Sequence, residues 1–189
     1  MKYLPNALTL LRISLVPVFW FFMFWAESNF KNSVIALATF VIASISDYYD
    51  GMLARKYNVI SNFGKIMDPL ADKILVLTAL FALGTEPLSM INIYMIWLIA
   101  FREVVITVLR EIYKKKNIII AANKSGKLKT VLQMTGIIAA LLWFTLVKSG
   151  IIPEKAVSVA DLIFNIYFVF VTVITVWSGL TYVLAVKKK

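Results

Sequence analysis

Asp47-Tyr48-Tyr49-Asp50-Gly51-Met52-Leu53-Ala54-Arg55 and, eight residues further on, Gly64-Lys65-Ile66-Met67-Asp68-Pro69-Leu70-Ala71-Asp72 decide how this chain is read. Four carboxylates stand in or beside strongly apolar segments, where each Asp at a membrane-helix centre costs roughly 2.5 to 3.5 kcal/mol. The spacing indicates what offsets that cost. Asp47 and Asp50 share one face of a helix, and Asp68 and Asp72 share one face of the next. Gly51 and Ala54 fall near the first of these faces and leave room for a ligand or a second backbone. The polar segment from Lys56 to Phe63 lets the second helix return antiparallel, so that the acidic pairs face each other across a narrow gap. Anions that close repel and take up protons unless cations separate them. Oxygen-only donors favour Mg2+, Mn2+ or Ca2+ over zinc, and two such ions form a clamp for phosphoryl displacement. The competing reading is a polar hairpin whose aspartates pair with nearby lysines and arginines.

The pattern D-x2-D-G-x2-A-R-x8-G-x3-D-x3-D is identified as the signature of the CDP-alcohol phosphotransferase family, and all eight fixed positions are filled. The resemblance implies transfer of a substituted phosphate from a CDP-linked donor to an alcohol, with release of CMP. It implies that Asp47, Asp50, Asp68 and Asp72 hold two Mg2+ or Mn2+ ions, and that Asp72 takes the proton of the acceptor hydroxyl. Gly51, Ala54, Arg55 and Ser61 would line the CDP part of the donor. A homodimer is also expected, from the resemblance only.

Composition sets the surroundings. Hydrophobic residues make up 61% of the 189, and the mean hydropathy is +0.84, which excludes an ordinary soluble protein and points to a polytopic membrane protein. Cys and His are both absent. That excludes a disulfide framework, a thiolate nucleophile, a histidine base and any Cys or His metal site. Acid–base chemistry falls to Asp, Glu, Lys or Tyr. A net charge of +10 in such a chain reads as cytoplasmic loop charge and contact with anionic lipid heads, not as a nucleic-acid footprint.

The apolar runs predict an all-α protein with six transmembrane helices behind a short interfacial N-terminal segment, as one domain over residues 1–189. Arg12 interrupts the first run and no small-x-small site follows Trp25, so the N-terminus reads as a retained helix and not a signal peptide. Further spans are expected over about Asn32–Arg55, Gly64–Leu83, Met90–Tyr113, Thr130–Val147 and Ser158–Val186. At about 1.5 Å per residue, Asp47 lies roughly 20 Å along its helix, near the far edge of a ~30 Å hydrocarbon core. Asp68 and Asp72 occupy the first turns of the next helix, so the four acids converge just below one membrane surface. The turns near Lys31, Glu86 and Lys148–Lys155 carry three basic residues, while the N-terminus, the 55–65 and 110–129 segments and the tail carry most of the others. The positive-inside rule places both termini and the Asp cluster on the cytoplasmic side; the inner membrane of a bacterial cell is what the resemblance implies.

A second set of residues concerns anion binding. Arg102 and Arg110 share a broad face of the fourth helix, with Glu103 beside Arg102. Ionisable groups inside an apolar run commonly mark a site; the plainer reading is an Arg102–Glu103 pair and an interfacial Arg110. Gly126-Lys127-Leu128-Lys129-Thr130 opens the fifth helix, where basic side chains and free backbone N–H groups suit a phosphate. Together with the Pro5-Asn6-x-Leu8-Thr9 start, Met67 to Lys73 and Arg102-Glu103, these residues resemble the bacterial phosphatidylglycerophosphate synthase branch of the family. That implies CDP-diacylglycerol as donor and sn-glycerol 3-phosphate as acceptor. Arg102, Arg110, Lys127 and Lys129 would bind the acceptor phosphate, and Thr9 and Arg12 would approach CDP-diacylglycerol. Without the resemblance, Thr9 and Arg12 read as a helix cap and a snorkelling arginine. The alternatives are a cardiolipin or phosphatidylinositol-phosphate synthase of the same superfamily, or a cation transporter with the acids as its ion path.

Overall fold

In the computed structural model the described parts of the apolar runs are mostly helical. It describes residues 4–57, 62–115 and 124–187; within the helices, the side chains of 4–9, 48, 50–51, 53–57, 62–69, 114–115, 124–125 and 185–187 lie outside the described residues. The described helices are α1 (Leu4–Trp20), α2 (Phe30–Tyr57), α3 (Asn62–Gly84), α4 (Ile93–Lys115), α5 (Lys124–Lys148) and α6 (Glu154–Lys187). After Pro17, which lacks an N–H, the end of α1 widens into a π-helical turn over Phe21–Trp25, closed by the Ala26 N–H donating to the Phe21 carbonyl at 3.0 Å. Asn29 sets the start of α2 by accepting the Asn32 N–H on its side chain at 2.9 Å.

This is an all-α membrane protein, as the sequence leads one to expect. Among the described residues, Phe30–Asp47, Gly126–Lys148 and Glu154–Leu184 are long and apolar enough to cross a bilayer, and Leu10–Trp25 is a shorter apolar stretch. α3 and α4 are each 23 residues, about 34 Å, but both carry charges. α4 shows how it accommodates them. Tyr94, Trp97, Phe101, Val104, Val108 and Ile112 form an exposed apolar stripe. Arg102, Glu103 and Ile106 lie on the opposite face, turned into the bundle.

The helices close into a ring in which α1 packs on α2, α2 on α5, α5 on α6, α6 on α4, α4 on α3 and α3 back on α1. Its core holds Phe19, Phe40, Leu80, Leu83, Ile99, Ile137, Leu141 and Phe168. Phe19 and Phe40 meet at 5.7 Å between ring centroids, joining α1 to α2. Buried Ala36, Ala43 and Ala79 let backbones approach, the usual device where no water drives helices together. Buried hydroxyls bond back along their own helices: Thr39 donates to Ile35, Thr145 to Leu141 and Thr172 to Phe168, at 2.7 to 2.9 Å.

Gly136 governs the α5–α6 contact. A Cβ there would lie 2.5 Å from Tyr167 Cε1 and 3.1 Å from Phe168 Cζ. Tyr167 cannot readily yield, because its hydroxyl donates to the Leu132 carbonyl at 2.8 Å and meets Thr135 Oγ1 at 3.2 Å. Gly136→Leu is therefore expected to destabilise the bundle by about 1–3 kcal/mol. Thermal unfolding in detergent micelles checks this, and an unchanged midpoint would contradict the close packing of these helices.

Candidate active site

Where α3, α4, α5 and α6 meet, the bundle holds a cavity of about 660 Å3. Each helix contributes residues at helical spacing. α3 brings Asp72, Lys73, Val76 and Leu77; α4 brings Arg102, Glu103, Ile106 and Arg110. α5 adds Gly126, Lys127, Lys129, Thr130, Gln133 and Met134, and α6 adds Ser178 and Tyr182. Five cations and two carboxylates thus line one chamber, whose apolar side is Val76, Leu77, Ile106 and Met134. A chamber with that excess of positive charge, walled by hydrocarbon, concentrates an anion.

The charged groups are held by neighbours. Arg102 donates from Nε to the Thr175 carbonyl at 3.1 Å and from a terminal nitrogen to Ser178 Oγ at 2.7 Å. Its distance to Glu103 is 3.9 Å, so the adjacent-residue pair considered from the sequence is the weaker contact. The close partner of Glu103 is Lys129, a buried ion pair that joins α4 to α5. The Arg110 guanidinium lies over the Tyr182 ring, 5.9 Å from its centroid.

Arg12 and Asp47 occupy a neighbouring position. Arg12 is wholly buried, not snorkelling, and its guanidinium pairs with Asp47 at 2.8 Å across α1 and α2. Asp72 lies within Coulombic range of Arg12, Lys73 and Lys129. Among the described residues no cluster of three or more Asp, Glu, His or Cys side chains forms. The side chains of Asp50, Asp68, Ala54, Arg55 and Thr9, the surroundings of Gly51, and Ser61 as a whole lie outside the described residues. Asp47 and Asp72 supply hard carboxylate oxygens, and Cys and His are absent, so this donor chemistry suits Mg2+ or Mn2+.

The cavity thus gathers Asp72, Arg102, Arg110, Lys127 and Lys129, the site candidates of three separate helices. It also contains polar residues that carried no site assignment from the sequence, among them Lys73, Thr107, Gln133, Ser178 and Tyr182. A signal exists for two of them. Gln133 is four residues after Lys129 and Ser178 four before Tyr182, each a polar group inside an apolar helix.

The family model described as CDP-alcohol phosphatidyltransferase matches residues 2–186. The chain belongs to this family. Several relatives bear names that specify a reaction. The CDP-diacylglycerol–glycerol-3-phosphate 3-phosphatidyltransferase of Bacillus subtilis is 40% identical, over 74% of this chain and 76% of its own. The Rickettsia felis protein of the same name is 34% identical over 99% and 97%. A probable phosphatidylglycerophosphate synthase of Mycobacterium tuberculosis is 39% identical over 82% and 72%. Members of the family are transferases of phospholipid synthesis, which fits a cavity set within a membrane bundle.

Gln133 is 2% exposed, and its Nε2 has no hydrogen-bond partner among the described residues. A buried donor in that state costs about 1–3 kcal/mol. Gln133→Leu, nearly the same volume, is therefore expected to leave the unfolding midpoint in detergent unchanged or raise it by a few degrees. A fall of more than about 5 °C would mean that the amide is fully satisfied within the fold.

Proposed function

We propose that this protein transfers the phosphatidyl group of CDP-diacylglycerol to sn-glycerol 3-phosphate, giving phosphatidylglycerophosphate and CMP. The observation that carries the reading is a cavity in which Asp72, the last acid of the signature, stands among Lys73, Arg102, Arg110, Lys127 and Lys129. An acceptor that itself bears a phosphate needs such a set of cations, and a plain alcohol does not. The names of the relatives support the same substrates.

In this mechanism the cations of α4 and α5 bind the acceptor phosphate and bring the glycerol hydroxyl to Asp72. Asp72 takes the hydroxyl proton as the acceptor oxygen attacks the phosphorus that carries diacylglycerol. One P–O bond forms, the P–O bond to CMP breaks, and the proton passes from Asp72 to solvent or to the departing CMP. Asp47, Asp50, Asp68 and Asp72 are the residues that would hold two divalent ions, Mg2+ or Mn2+. Bound there, the ions would supply charge neutralisation for the pyrophosphate and the leaving CMP. Gly51, Ala54, Arg55, Ser61, Thr9 and Arg12 would receive the CDP-diacylglycerol head group, with Arg12 already anchored on Asp47. The same reading makes the chain one domain of six membrane spans, a homodimer in the bacterial inner membrane with its site open to the cytoplasm.

The test is CMP release by the purified protein in detergent–lipid micelles with CDP-diacylglycerol, offered glycerol 3-phosphate, inositol phosphate, serine or phosphatidylglycerol. Release is expected with glycerol 3-phosphate alone, and Asp72→Asn should lower kcat by about 100-fold or more. Preference for another acceptor would keep the chemistry and overturn the substrate assignment. Stripping divalent ions with a chelator should abolish release, and added Mg2+ or Mn2+ should restore it; full activity after chelation would rule out the metal clamp.

A further inference from the structure

α6 carries none of the motif, yet it touches the cavity at the residues that grip Arg102. We propose that Ser178 and Gly179 are positioning residues that hold the Arg102 guanidinium ready for the acceptor phosphate. The inference rests on the reading of that acceptor as glycerol 3-phosphate.

An arginine has five N–H donors. Here Nε is committed to the Thr175 carbonyl at 3.1 Å, and one donor of a terminal nitrogen to Ser178 Oγ at 2.7 Å. The remaining three all sit on the two terminal nitrogens, which are the pair that grips a phosphate as a fork. Ser178 is 2% exposed, and its hydroxyl hydrogen is directed to the Thr175 carbonyl at 3.0 Å. Its oxygen is thereby oriented to accept from Arg102. Gly179 provides the space: a Cβ there would stand 3.0 Å from Arg102 Cγ and 3.3 Å from Nε, and would push the stem away from α6 by a few tenths of an ångström. A free arginine side chain carries considerable rotamer entropy. Fixing it before the ligand arrives removes part of the ordering cost of binding. The nearby carboxylate of Glu103, at 3.9 Å from Arg102 and engaged by Lys129, leaves this fork to the ligand.

The test compares Ser178→Ala, Ser178→Thr and Gly179→Ala with the unsubstituted protein, in micelles, varying each substrate separately. Ser178→Ala is expected to raise KM for glycerol 3-phosphate about tenfold. KM for CDP-diacylglycerol and kcat should stay within about threefold, and Ser178→Thr, which keeps the hydroxyl, should recover most of the loss. Gly179→Ala should act in the same direction through the displaced stem. In an Arg102→Met background, Ser178→Ala should add less than about twofold, because the partner it positions is gone. Equal changes in both KM values, an unchanged acceptor KM, or additivity with Arg102→Met would overturn the inference while the unsubstituted protein remains active with glycerol 3-phosphate. No activity of the unsubstituted protein with that acceptor would instead overturn the acceptor assignment, and the inference with it.

Discussion

A charge inside a bilayer has to face protein or water, and that requirement decides how α3, α4 and α5 are turned. The cost of leaving an arginine, lysine or aspartate against lipid is several kcal/mol. α4 avoids it by facing Trp97, Phe101 and Val104 outward and Arg102 and Glu103 inward. Once turned inward, the charges need partners, and they find them on other helices. Glu103 pairs with Lys129 of α5, and Arg102 bonds to α6. The contacts that make the helices tolerable in a membrane are the same contacts that assemble the cavity.

The imbalance of charge in that cavity gives it a use. Five cations face two carboxylates, so the pairing within the protein does not consume the positive field. Buried pairs of this kind contribute little net stability, since desolvation offsets attraction. Their consequence lies in orientation. Lys129 is held by Glu103, Arg102 by Ser178 and Thr175, and Arg110 by the Tyr182 ring. A phosphate entering the chamber would meet donors already placed around Asp72.

The signature from Asp47 to Asp72 and the apolar runs were enough to read an all-α membrane protein of the family that the comparison assigns. The helix positions follow from the same runs, with ends within a few residues, because a capping group such as Asn29 shifts a boundary without changing the hydrophobic pattern. The basic residues were also legible individually: Arg102 and Arg110 share a helical face, and Lys127 and Lys129 open α5. What spacing could not reveal was the partner of each. From adjacency Arg102 pairs with Glu103, but neighbours on a helix point in different directions, and in the bundle Lys129 takes Glu103 while Arg102 leans on α6.

Sequence alone therefore determined the all-α membrane setting, the family signature and the chemistry open to a chain without Cys or His, since those depend on residue type and local periodicity. Only the tertiary structure decided that α6 belongs to the site, that Gly179 makes room for Arg102, and that Arg12 is buried against Asp47. The reason is physical. Contacts between residues more than 70 positions apart, such as Arg102 with Thr175 and Ser178, arise from how six helices close into a ring, and no local pattern encodes that closure.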